Sequence, residues 1–109
     1  MILETFTKEV EEELLGDILP FHMQFCVDEE QGGFYGRVDD DRTAHPEAPK
    51  GLVQHGRIRW TNAQAYRHYR DPAYLETASR AYRYLLSNFW DAAQQGMIWL
   101  VDAKGNPLD

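Results

Sequence analysis

The 109-residue sequence predicts an all-α fold, an array of helix pairs joined by short hairpin-like loops. Two observations carry this. Three long segments place apolar residues at helical spacing, and the two non-helical stretches that follow the first and third of them resemble each other at one offset. Asp28 matches Asp91, Gln31 matches Gln94, Gly33 matches Gly96, Val38 matches Val101 and Asp39 matches Asp102, each pair 63 residues apart. A helix-pair unit cannot bury its own apolar face, so such units stack, and about three or more make a stable array. About one and a half units are legible here. The chain is therefore expected to be the N-terminal piece of one larger domain.

Residues 3–26 form the first predicted helix. Phe6, Val10, Leu14, Leu15, Ile18, Leu19 and Met23 recur at helical spacing, with Lys8, Glu9, Glu11, Glu12 and Glu13 largely on the other side. Thr5 or Thr7 is the candidate cap, and the acidic first turns suit the positive end of the helix dipole. Pro20 is expected to bend or interrupt the helix near its end. Asp28 to Gly33 then reads as a turn. Phe34 to Val38 and the acidic turn Asp39-Asp40-Asp41 follow as short extended pieces without helix. Residues 42–49, with Pro46 and Pro49, form an irregular loop.

The second helix is expected over residues 50–69. Leu52, Val53, Ile58, Trp60, Ala63, Ala65, Tyr66 and Tyr69 occupy more than one of its sides, which predicts burial between other elements. Asp71 is a good N-cap and Pro72 a good first residue for the third helix, residues 72–89. Leu75, Ala78, Ala81, Tyr82, Leu85, Leu86 and Phe89 lie on one stripe of it. Residues 96–102 read as a strand, and Lys104-Gly105-Asn106-Pro107 as a turn.

Composition narrows the function. The net charge of −7 argues against a nucleic-acid or anionic-membrane partner, which this surface would repel. A single cysteine, Cys26, excludes an internal disulfide and a cysteine-based zinc site, and its apolar neighbours predict a buried, inert thiol. Met1-Ile2-Leu3-Glu4 has no basic region followed by an apolar run, so the default expectation is a cytoplasmic protein.

One ordered set of residues is more specific. Gly32-Gly33-Phe34-Tyr35-Gly36, Lys50-Gly51, Arg57-Ile58-Arg59-Trp60, Tyr74-Leu75, Ala78, Phe89, Trp99, Val101-Asp102 and Gly105-Asn106-Pro107 resemble the opening of the N-acylglucosamine 2-epimerases, cellobiose 2-epimerases and related mannose isomerases. The resemblance runs over residues 14–109. It implies a partial (α/α)6 toroid, with the second helix on the inner ring around a central funnel. It also implies a small-molecule sugar substrate and reversible chemistry at C2. There the sugar ring opens, a base removes the proton α to the carbonyl, and an enediolate forms. Neither a metal nor another cofactor is implied.

Such chemistry needs a base with a pKa near working pH and a fixed cation beside the enediolate oxygen. The resemblance puts Arg57 at the family's funnel-facing arginine, and a guanidinium with its rigid fork of N–H groups suits that role. An inner-helix arginine paired with a carboxylate is the competing reading. Arg59 points about 160° away around the helix, at 100° per residue, and is expected to snorkel or pair with a carboxylate. Trp60, one turn on from Arg57, and Trp99, ahead of the next inner helix, are candidates for bordering the sugar; packing is the competing role of each.

The family's acid/base histidines lie on later inner helices, and His22, His45, His55 and His68 match none of them. His22 stands where relatives often carry a large aromatic and is expected to be structural. His45 is expected to be solvated, and His68 to lie on the helix exterior. His55 is nearly opposite Arg57 and takes the place of a polar amide often seen there. Asp39-Asp40-Asp41 lacks the ligand spacing and closing Glu of a calcium loop and reads as a solvated turn. The chain alone is accordingly expected to be inactive. The alternative is a stand-alone helical module that closes its exposed apolar helix faces by homo-oligomerising.

Overall fold

The computed structural model describes residues 2–108. Its first helical stretch comprises α1 (Ile2–Glu13), one π-helical turn (Leu14–Ile18) and α2 (Leu19–Phe25). Pro20 accounts for the wide turn. It has no N–H to return to Gly16, and the Leu19 N–H reaches back five residues to the Leu14 carbonyl. The expected interruption thus lies just before the proline, as one inserted residue in the ladder. α1 buries none of its residues, and Leu3, Phe6 and Val10 stay exposed.

α3 (Leu52–Tyr69) ends on Arg70, whose left-handed φ of 62° lets its N–H cap the Tyr66 carbonyl at 2.8 Å. Asp71 then starts α4 (Pro72–Tyr84), its Oδ1 accepting from the Ala73 N–H at 3.0 Å. A second π-helical turn, Leu85–Phe89, extends α4. α3 packs along α4 and against the first helix. Leu19, Ala65 and Tyr74 form one buried cluster; Cys26, Phe34, Ile58 and Ala81 form another; Tyr84, Phe89 and Val101 form the third. His55, Ile58, Asn62 and Ala65 make the buried stripe of α3, while Val53, Arg57, Trp60 and Gln64 remain exposed. The expected burial on more than one side therefore leaves a whole face of α3 open.

Two antiparallel ribbons connect the helices. β1 (Lys50–Gly51) pairs with β4 (Leu100–Val101), and β2 (Trp90–Asp91) with β3 (Gly96–Met97). Two expectations are corrected here. Lys50 and Gly51 are strand, because Leu100 and Val101 lie beside them, and α3 starts only at Leu52. The expected single strand over residues 96–102 is two short ones, since its halves pair with different partners.

The sequence repeat is also a repeat of backbone hydrogen bonds. Tyr35 N–H to Cys26 C=O (2.7 Å) recurs as Ile98 N–H to Phe89 C=O (2.6 Å), and Asp39 N–H to Thr43 C=O (2.9 Å) as Asp102 N–H to Asn106 C=O (2.8 Å). The left-handed Arg42 (φ 73°) recurs as Gly105 (φ 94°). Asp28 Oδ1 accepts from the amides of Glu30 and Gln31 just as Asp91 Oδ1 accepts from those of Ala93 and Gln94. Both turns use an aspartate because a short carboxylate can satisfy two backbone donors two and three residues on.

A buried polar knot fastens the first loop to α3 and α4. Lys50 is fully buried and donates to Asp28 Oδ2 and to the Gly32 carbonyl, both at 2.8 Å. Arg80 donates to the carbonyls of Gly33 and Asp28. Burial pushes the Asp28 carboxyl up, but Lys50 and the amides of Gln31 and Glu30 outweigh it and hold its pKa below the usual value. Gly33 sits in the left-handed region (φ 65°), where a Cβ would stand 2.7 Å from the Tyr84 ring and 2.8 Å from His55 Nε2.

Candidate functional site

Arg57 lies on the exposed stripe of α3, at the edge of an open cavity of about 310 Å³ between α3, the first helix and the 34–38 segment. Gln54, His22 and Tyr35 line the same cavity, with Phe21 and Val38 supplying apolar wall. Gln54 stands one turn before Arg57, so helical spacing alone brings the two together. Its Nε2 donates to the Tyr35 carbonyl at 2.6 Å, which ties the extended segment to α3. His22 arrives from α2 and is held from behind by Asn62, whose Nδ2 lies 3.3 Å from His22 Nδ1. Burial lowers the His22 pKa, so its ring is neutral at neutral pH. The cavity thus combines one permanent cation, a neutral imidazole and an amide, donors and acceptors that suit an uncharged, oxygen-rich ligand.

The other candidates fall elsewhere. Trp60 and Trp99 are 66% and 64% exposed, so neither is packed in the core. Trp60 borders a separate groove with Leu14, Gln64 and Tyr69. The Trp99 carbonyl accepts the first amide of α3, from Leu52, at 3.0 Å, which fixes that residue at the helix entrance. Arg59 lays its guanidinium over the Tyr82 ring, 4.8 Å from the centroid, so its partner is an aromatic on α4.

Two histidines are engaged in hydrogen bonds, and for His45 this departs from the expected solvation. His55 is a fully buried part of the core. The Phe34 N–H donates to its Nε2 at 3.1 Å, and its Nδ1–H donates to the Gly51 carbonyl at 3.0 Å. His45 is not free in solvent: Nε2 lies 2.7 Å from Asp39 Oδ2 and Nδ1 lies 3.4 Å from Glu47 Oε1. His68 is exposed as expected and stands edge-on to Tyr69. The Cys26 thiol is buried, and burial pushes its pKa up to about 11, which makes it inert.

Of the residues lining this cavity, the resemblance singled out Arg57, and Gln54 was within reach through its one-turn spacing. His22 and Tyr35 were not, because the packing of α2 and the 34–38 segment against α3 places them.

No family model matches the chain. Known proteins do. The cellobiose 2-epimerase of Bacteroides fragilis is 42% identical over 106 residues, covering 97% of this chain and 27% of the relative. Among solved structures, the cellobiose 2-epimerase of Spirochaeta thermophila superposes with a TM-score of 0.90 at 40% identity, over 99% of this chain and 26% of its own. A D-mannose isomerase superposes at 0.75 with 28% identity, over 94% and 25%. The chain spans about a quarter of the length of these relatives. With those identities and that superposition along nearly all of its residues, the chain belongs to the sugar epimerase and isomerase family that includes the cellobiose 2-epimerases.

Proposed function

We propose that this chain forms the N-terminal part of a sugar 2-epimerase or aldose–ketose isomerase built as an (α/α)6 toroid, and that Arg57 is its catalytic cation. Arg57 stabilises the enediolate oxygen formed when the C2 proton of the open-chain sugar is removed. A guanidinium fits this role because it stays charged throughout the reaction and meets the developing oxyanion with N–H groups already in place. Trp60, one turn further along the open stripe of α3, and Trp99, at the entrance of that helix, border the sugar outside the Arg57 cavity. The cellobiose 2-epimerase relatives make cellobiose the first substrate to test.

The observation that carries this reading is the placement of Arg57 on the open face of α3, at the edge of a cavity otherwise lined by neutral polar and apolar groups. None of the described histidines is set as a base opposite it. His55 is enclosed, His45 is engaged with Asp39 and Glu47, His68 lies on a separate groove, and the His22 Nδ1 already accepts from Asn62. The 109-residue chain by itself therefore catalyses no exchange of the C2 proton of cellobiose, mannose or N-acetylmannosamine in deuterated water. Exchange well above the uncatalysed rate, seen by proton NMR with the purified chain, contradicts the need for further residues.

A second reading, a helical module that self-associates, draws on the exposed Leu3, Phe6 and Val10 of α1. Light scattering after size exclusion separates the two. A discrete folded oligomer favours the module, and aggregation or loss of fixed side-chain packing favours the enzyme segment.

A further inference from the structure

The cavity beside Arg57 contains a histidine whose ring is set by a buried amide. Asn62 is fully buried on α3 and directs its Nδ2 to the Ile58 carbonyl at 2.9 Å and to His22 Nδ1 at 3.3 Å. The first contact fixes which end of the amide carries hydrogens, since a carbonyl only accepts. The second then requires a bare Nδ1, so the neutral His22 ring carries its proton on Nε2. Asn62 Oδ1 is buried without a partner among the described residues. A half-satisfied amide in the core costs stability that a packed leucine would not. What it provides is a histidine held in one tautomer on the wall of the Arg57 cavity.

We propose that His22 is a ligand-binding residue of this cavity, donating its Nε2–H to an oxygen of a sugar held beside Arg57, with Asn62 as its positioning residue. The proposal rests on the sugar-enzyme reading above and adds to it the group that orients the substrate. The two donors divide the work by charge. Arg57 meets the oxygen that becomes negative, whereas an uncharged N–H recognises a hydroxyl or carbonyl oxygen without competing for that charge. Phe21 and Val38 give the cavity the apolar wall against which a sugar's C–H face packs.

The tautomer is tested by long-range 15N–1H correlation of the imidazoles near pH 7, with residues 1–109 joined to the remainder of the Bacteroides fragilis enzyme so that their packing is kept. The expected His22 pattern is Nε2–H, shifting toward a mixture in Asn62→Leu. A Nδ1–H or doubly protonated His22 overturns the proposal whatever the activity. The function is tested in a hybrid epimerase, with residues 1–109 replacing the matching stretch of the Bacteroides fragilis enzyme. His22→Phe, which keeps an aromatic ring of similar bulk, is expected to raise KM for cellobiose about three- to tenfold and to change kcat by less. This is the scale of one lost neutral hydrogen bond. His22→Gln, which restores an N–H donor, is expected to recover part of the loss. An active hybrid in which His22→Phe leaves KM unchanged overturns the inference alone. An inactive hybrid overturns the sugar-enzyme reading and this inference with it.

Discussion

The Phe34 N–H donates to His55 Nε2 at 3.1 Å, joining the first loop to α3 across 21 residues. Because Nδ1–H is already committed to the Gly51 carbonyl, this pair fixes the imidazole as a neutral ring with one bond at each nitrogen. Tyr84 stacks on the ring with centroids 4.8 Å apart, and Phe89 lies 5.3 Å away. A second proton on that ring would break the Phe34 bond and place a buried charge near Lys50.

The first prediction concerns acid stability. Burial lowers the His55 pKa from 6.5 to about 4, the Gly51 bond opposing the shift and the Lys50 charge adding to it. A base whose folded pKa is depressed contributes its stability fully above the unfolded value. That stability is lost as pH falls through 6.5 toward 4, where the unfolded chain binds a proton that the folded one refuses. The full loss is about 3 kcal/mol. Urea denaturation at pH 7.5, 5.5 and 4.5 should show the midpoint falling across this window, and His55→Gln should flatten the slope while lowering stability throughout. His45 acts in the opposite sense, its pKa raised by the Asp39 hydrogen bond, but its half-buried ring is still screened by solvent.

The second concerns the buried ion pair. Lys50→Met keeps the stem and removes the charge, leaving the Asp28 carboxylate enclosed without its cation. Breaking a buried pair on one side costs roughly 3–5 kcal/mol, a large share of the stability of so small a domain. The Asp28 pKa should rise in the variant. Thermal unfolding at pH 7 and pH 4 tests both effects: the penalty should shrink at the lower pH, as the carboxyl takes up a proton.

The third compares two glycines at equivalent places in the repeat. Gly33→Ala forces a Cβ into a left-handed residue and to within 2.7 Å of the packed Tyr84 ring. The cost is expected to exceed about 2 kcal/mol. Gly96→Ala meets nothing closer than the Gln94 carbonyl at 4.0 Å, so a change within about 0.5 kcal/mol is expected. Equal effects in chemical denaturation would show that the two turns carry equal loads, contrary to the asymmetric packing around them.

What was legible in the sequence follows from which signals are local. The three helices, the Asp71-Pro72 start and the 63-residue repeat were readable because side-chain period, caps and turn aspartates act over a few residues. Lys50 and Gly51 read locally as the start of a helix because their strand partners, Val101 and Leu100, lie about 50 residues away. His55 carries a local signal. It shares a stripe with Ile58, Asn62 and Ala65, so its burial was written in the helical spacing. His22 had none, since its role depends on Asn62, 40 residues on. Arg57 was singled out only by the ordered motif set, since an exposed arginine on a helix is unremarkable by itself.

The central claim is that Arg57 is the catalytic cation of a sugar epimerase. Its most direct test is the rate of C2 proton exchange of cellobiose in deuterated water by the hybrid epimerase, with and without Arg57→Ala. The expected result is an active hybrid whose variant loses about 10²- to 10³-fold in kcat, the scale of removing one oxyanion donor. The variant should remain folded, because Arg57 is exposed and lies outside the core. A variant that exchanges the C2 proton within about threefold of the parent hybrid would contradict the account.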